Sequence, residues 1–234
     1  SFRRPSLRTM LDSWKRVLYI GLPTAGTNVL LPVSAGIITK FVAMYGAEAV
    51  AGFGVATRVE MFALIVVMAL SSVLGPFVGQ NWGAKKHDRV MLGIKYSQQF
   101  SMGWGLVMFS LLAIFGRFIA SPFSADPLVI STAITYFWIV PMCCGVLGVL
   151  RLSRIALSVL NKPLHSALLT LIQAFLLYIP FAYLGSRMFG LKGIFSAAAG
   201  SYIIAAFVAY LWLKSYVKAD QQIYLSQQLK AEVF

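Results

Sequence analysis

The sequence predicts an all-α membrane protein built from six transmembrane helices. Three observations predict it. The 234 residues are 59% hydrophobic and only 12% charged, with a mean hydropathy of +0.79, whereas soluble domains carry about 25% charged residues. Six apolar runs recur along the chain, each long enough for the ~20 helical residues that cross a ~30 Å hydrocarbon core. Lys and Arg gather in alternate connections between those runs, as topology signals do. All six runs are read as helices, because lipid offers the backbone no hydrogen-bond partner and a barrel strand would be a ~10-residue alternating segment.

Residues 1–15 form a basic connector. Leu7, Met10, Leu11, Trp14 and Leu18 recur at helical spacing, with Arg4, Arg8, Lys15 and Arg16 mostly elsewhere on the wheel. The segment is either an amphipathic helix on the membrane surface or a linker continuing into the first span. The chain opens on Ser1, as a processed chain or a piece of a longer one would.

The membrane lobe spans 16–217. Span one covers about 16–44, span two 48–79, span three 91–116, span four 128–159, span five 164–186 and span six 191–215. Short connections make neighbours antiparallel. Span one holds Asn28 and Pro32; the proline cannot donate to the Asn28 carbonyl, so that carbonyl and the Asn28 amide either coordinate a cation or polar substrate or form a satisfied kink. Lys40, near the outer end, either snorkels to the interface or pairs with Glu60 across the first helix pair.

The chain is organised around Gly46–Arg89. Its helix of roughly 30 residues would be about 45 Å long, and it carries Arg58 and Glu60 inside an apolar run. Two residues apart, these side chains do not face one another. They line a cavity or sit at the interface. Glu60 is the one carboxylate placed to titrate inside the membrane. The run ends in Gly75, Pro76, Gly79, Gln80, Asn81 and Gly83, read as a kink, a close helix approach at GxxxG spacing and a glycine-bearing turn. Gly193, Ala197 and Gly200 make a similar small face in span six.

Arg151 and Arg154 share one face of the cytoplasmic half of span four and either meet anionic lipid headgroups or an acidic partner, or anchor the topology. Cys143 and Cys144 are adjacent, which excludes a disulfide framework. His87 and His165 fall in loops without a ligand constellation, so no metal is expected. No nucleophile motif, phosphate loop or zinc spacing occurs, so neither an enzyme nor a cofactor is expected. The net charge of +13 punctuates apolar spans rather than forming a basic surface, which argues against nucleic acid. Fifteen Lys and Arg lie in the N-terminal segment, the second-to-third and fourth-to-fifth connections and the tail, against Arg117, Arg187 and Lys192 in the others. Both termini are therefore expected in the cytoplasm. The tail, 218–234, is polar and Gln-rich, a surface helix or a frayed end.

GAEAVAGFGVATRVE, a long apolar run and FVGQNWGAKKHDR together resemble the multidrug and toxic-compound extrusion (MATE) family, and Asn161-Lys162-Pro163 looks like its lobe-closing turn. The resemblance implies that this chain is the C-terminal six-helix lobe of a twelve-helix antiporter. Its partners would be the N-terminal lobe, the bilayer and a bulky drug or organic cation exported in exchange for H⁺ or Na⁺, at the bacterial inner membrane. The zones Asn28–Pro32 and Gly145–Gly148 hold no acid where the family's sodium-coupled branch has carboxylates. The resemblance then implies the branch whose coupling carboxylates lie in the N-terminal lobe, favours H⁺ over Na⁺, and leaves Glu60 as the one candidate in this lobe. Met61, Phe62, Met68, Phe175 and Tyr178 are candidates to line a drug site. A lipid-linked precursor flippase of the same superfamily is the alternative, and a six-helix scaffold subunit is a third reading.

Overall fold

Six apolar runs separated by short polar connections dictate an antiparallel helical lobe, and the computed structural model shows one. It describes the backbone of residues 7–232. Arg3 and Arg4, the side chains of Leu7, Arg8, Arg16, Pro23, Lys230 and Glu232, and the end of the tail lie outside the described residues.

The first three spans are single helices: α1 (Leu7–Ala43), α2 (Ala47–Gly83) and α3 (His87–Ala120). From Leu7 onward the basic segment continues without a break into the first span. Span four divides into α4 (Pro127–Ile139), a tight 3₁₀ turn at Pro141–Cys143 and α5 (Cys144–Val159). The ring of Pro141 removes an amide donor mid-span, and the chain tightens there rather than breaking. Span five comprises α6 (Pro163–Leu171), a π-helical segment at Ile172–Tyr178 and α7 (Ile179–Phe189). The π turns precede Pro180, again beside a missing donor. The last element, α8, runs from Leu191 to Glu232, so the polar tail is helical up to that residue.

Spans two to six, the fourth and fifth taken across their internal 3₁₀ and π segments, are among the described residues the five long and apolar enough to cross a membrane; α1 supplies a shorter apolar stretch, Asn28–Ala43. Their outer faces fit lipid. Phe62, Leu106, Ile114 and Phe118 are each more than two-thirds exposed, a density of bare apolar side chains that water would not tolerate over several helices. Both cysteines are free and buried.

Two apolar clusters stack along the lobe. One, around Val42, Phe137 and Phe195, lies toward the α1–α2, α3–α4 and α7–α8 turns. The other, around Leu150, Leu157 and Leu213, lies toward the lysine-bearing turns α2–α3 and α5–α6. Small residues set the crossing of α3 on α5. A Cβ on Gly145 would lie 2.9 Å from the Met102 Cα, and one on Gly105 would overlap the Gly145 backbone. Ser101 Oγ donates to the Gly145 carbonyl across the same contact at 3.2 Å.

The end of α2 differs from the sequence expectation. Gly79–Gly83 is not a turn but the last helical turn, and Asn81 Nδ2 donates back to the Phe77 carbonyl at 2.8 Å. The reversal takes only Ala84, Lys85 and Lys86. Lys85 adopts φ +57°, and Lys86 N–H reaches the Asn81 carbonyl at 2.9 Å, a Schellman closure. The Asn161-Lys162-Pro163 turn repeats this geometry: Asn161 has φ +59° and Lys162 N–H reaches the Leu157 carbonyl at 2.9 Å. Asn161→Val is therefore expected to destabilise the lobe by about 1–2 kcal/mol, the left-handed penalty for a residue with a branched Cβ. Asn161→Gly should leave it unchanged. Thermal unfolding in detergent reads the difference.

The C-terminal part of α8 ties both lysine-bearing turns together. His87 is buried and its Nε2 lies 2.8 Å from Asp220 Oδ2, with Lys85 Nζ 3.6 Å from the same oxygen. The Tyr216 hydroxyl is hydrogen-bonded to His165 Nε2, and Lys162 Nζ stands 5.0 Å over the Tyr216 ring. The loop assignment of the two histidines is thus corrected: His87 opens α3, His165 lies in α6, and each meets a partner more than fifty residues away.

Candidate functional site

Glu60 sits about a third of the way along α2, on the face turned into the lobe. It is 8% exposed. Its Oε2 accepts a hydrogen bond of 2.5 Å from the Tyr136 hydroxyl of α4, and its Oε1 is buried without a hydrogen-bond partner among the described residues. The Tyr136 ring is held edge-on by Phe53 of α2 and Phe195 of α8, at 5.8 and 5.1 Å between centroids, and those two phenyl rings stack on each other. Tyr178 and Tyr202 pack on the same cluster. A carboxylate is thereby held inside an aromatic cage with one oxygen satisfied and the other open. A buried oxygen without a donor is costly, and a small cation arriving there would relieve it.

The sequence-predicted residues separate around this centre. Arg58 is exposed, as its two-residue offset from Glu60 requires. Lys40 is also exposed, and the expected Lys40–Glu60 pair is not among the ion pairs of the described residues; the partner of Glu60 is Tyr136. Met61, Phe62 and Met68 face outward from α2, whereas Tyr178 faces into the core, so these candidates do not form one pocket within the lobe. A Cβ on Gly75 would find ordinary van der Waals room against Ile155, one on Gly79 would lie 3.3 Å from Val159 Cγ1, and one on Gly83 would meet nothing. Pro76 and Gln80 are exposed. Tyr136 was missed by sequence reasoning. It lies in the apolar run of span four, and no local pattern distinguishes it from a core aromatic.

A second polar feature lies toward the lysine-bearing end. A cavity of about 390 Å³ opens between α1, α5 and α6, lined by Asn28, Arg151, Arg154, Ser158, Ser166 and Thr170 among its polar groups. Arg154 donates to Thr170 Oγ1 at 2.8 Å. Arg151 Nε is buried without a hydrogen-bond partner among the described residues. Asn28 is thus placed with the arginines rather than with Glu60.

The MatE family model matches residues 23–184. This chain belongs to the MATE family. It is 34% identical over 201 residues to a FAD transporter of Shewanella oneidensis, covering 86% of this chain and 44% of that protein. It is 25% identical over 196 residues to the multidrug export protein MepA of Staphylococcus haemolyticus, covering 83% of this chain and 43% of that one. The bent form of the Vibrio cholerae MATE transporter VcmN superposes with a TM-score of 0.86 at 26% identity, over 90% of this chain and 48% of that one. The chain spans about half the length of these relatives, and its fold is that of one lobe of a MATE transporter.

Proposed function

We propose that the chain is the C-terminal half of a secondary active efflux transporter, which exports a bulky organic molecule in exchange for a cation held at Glu60 and Tyr136. One observation carries the reading: a carboxylate buried in an apolar membrane lobe, with an oxygen that no group among the described residues satisfies. Ionisable groups inside the membrane are costly and mark ion or substrate paths. A single carboxylate and a single hydroxyl suit a proton better than a sodium ion, which needs a shell of several oxygens. Asn28–Pro32 and Gly145–Gly148 contribute no further acid.

The partner in this reading is an N-terminal six-helix lobe, with alternating access arising from movement of one lobe against the other around a central cavity. Met61 and Met68, bare on one face of the lobe surface, supply an adaptable apolar face for an organic cation. The lysine-rich connections favour an inner-membrane topology with both termini cytoplasmic. A phosphate-bearing cargo is the second reading, favoured by the relative named a FAD transporter and by the paired arginines of the cavity. The flippase alternative belongs to the same chemistry.

The test is ethidium export by inverted vesicles carrying the full-length transporter, with H⁺ and Na⁺ gradients imposed separately. Export under the proton gradient alone is expected. Export under sodium alone would overturn the coupling ion, and no export under either would overturn the drug-antiporter reading.

A further inference from the structure

We propose that the cavity between α1, α5 and α6 is an anion site, in which Arg151 and Arg154 take the phosphate or diphosphate group of an amphiphilic molecule. The inference deepens the second, phosphate-cargo reading and rests on the transporter reading for its direction of transport. Two guanidinium groups three residues apart on one helix are neighbours at about 5–6 Å between Cβ atoms and repel each other. Placing them together inside an apolar span is costly unless something opposite in charge joins them. The described residues supply nothing of that kind. No carboxylate lines the cavity, and neither arginine is in an ion pair among the described residues.

The donors that remain point to an oxyanion. Arg154 is oriented by Thr170, through a hydrogen bond of 2.8 Å. Arg151 keeps a buried Nε–H with no acceptor among the described residues. A guanidinium fork matches the oxygens of a phosphate two at a time, and a pair of forks matches a diphosphate better than a single carboxylate. Ser166 and Asn28 add neutral donors around the same space, while the Ser158 hydroxyl is spent on the Arg154 carbonyl at 3.0 Å. Leu31, Ile155 and Val159 form an apolar side to the cavity, which suits an organic group attached to the phosphate rather than inorganic phosphate alone.

The chemistry is shared by a phosphate-headed lipid and a soluble phosphorylated solute, so the experiment uses one probe for each. The full-length transporter is placed in phosphatidylcholine nanodiscs. Inorganic pyrophosphate is titrated calorimetrically, and in parallel phosphatidic acid is added and its retention measured by native mass spectrometry. At least one probe is expected to bind, and Arg151→Gln with Arg154→Gln is expected to weaken it at least about tenfold, the loss of charge-assisted contacts. Should that pair not fold, Thr170→Val keeps both charges and is expected to weaken binding severalfold through loss of the Arg154 contact. Lys85→Gln, outside the cavity, should leave binding unchanged. Pyrophosphate alone assigns a soluble cargo, phosphatidic acid alone a lipid one, and either upholds the site. Binding of neither probe, or equal binding by wild type and the arginine variants, overturns it. Binding is read without a gradient. A transporter that binds through the arginines yet exports nothing therefore sinks the export reading alone, and one that exports ethidium yet binds neither probe sinks only the anion site.

Discussion

Glu60→Gln in the full-length transporter is expected to abolish cation-driven export while leaving the protein in the membrane at its normal level. The substitution is nearly isosteric. The carbonyl of the substituted amide can still accept from the Tyr136 hydroxyl, so the α2–α4 link seen at 2.5 Å survives and the aromatic cage keeps its content. What disappears is the negative charge and the open oxygen at which a cation would be held. The amide adds a donor without a partner, a cost of about 1–3 kcal/mol that a long helix packed on several neighbours can absorb. Tyr136→Phe makes the complementary change: it keeps the charge and removes the hydroxyl donor, so export is expected to persist with an altered dependence on pH. Arg58→Gln is the control, because that side chain is exposed and should transport as wild type. Unchanged export by the Glu60→Gln protein at normal abundance would remove Glu60 from the coupling mechanism.

The contrast between Glu60 and its expected partner shows what the sequence could carry. The six spans were legible because lipid demands long apolar runs, and punctuation by Lys, Arg, Gly and Pro marks their ends. That Glu60 and Arg58 point apart followed from helical period alone. The partner of Glu60 did not, because Tyr136 lies 76 residues away and the register of α2 against α4 is set by tertiary packing. Lys40 was the better partner on charge grounds, yet it takes the exposed face of α1. Arg151 and Arg154 were visibly on one face, but Asn28 and Thr170 join them only once α1 and α6 close around α5. Helix ends suffered most. Gly79, Asn81 and Gly83 read as a turn by composition, but α2 holds them to Gly83 because the left-handed residue that actually reverses the chain is Lys85, a type with no turn signature. The same limit hid the α8 clamp, in which Asp220 and Tyr216 reach back to His87 and His165.

Gly105→Ala should destabilise the lobe far more than Gly79→Ala, although only Gly79 belongs to a recognisable GxxxG pair. In membranes, helices gain little from apolar burial against one another, so close backbone approach supplies much of the packing energy. At Gly105 the approaching atoms are the backbone of Gly145, which cannot rotate away. A single methyl there must push α3 off α5, disturbing the Ser101–Gly145 contact and the neighbouring Gln98–Ser153 hydrogen bond of 3.0 Å. Overpacking of this kind costs about 1–3 kcal/mol, and the two strained polar contacts add to it. At Gly79 an added Cβ would meet a methyl of Val159 at 3.3 Å, the far end of a side chain, which can yield by a few tenths of an ångström for well under about 1 kcal/mol. Gly79→Leu, by contrast, has no room for its branched end against α5 and is expected to impair export. Fluorescence-detected gel filtration after a heating series would rank the three variants. Equal melting of Gly105→Ala and wild type would mean that α3 and α5 are free to separate at that crossing, and the glycine contact would lose its role in setting the helix pair.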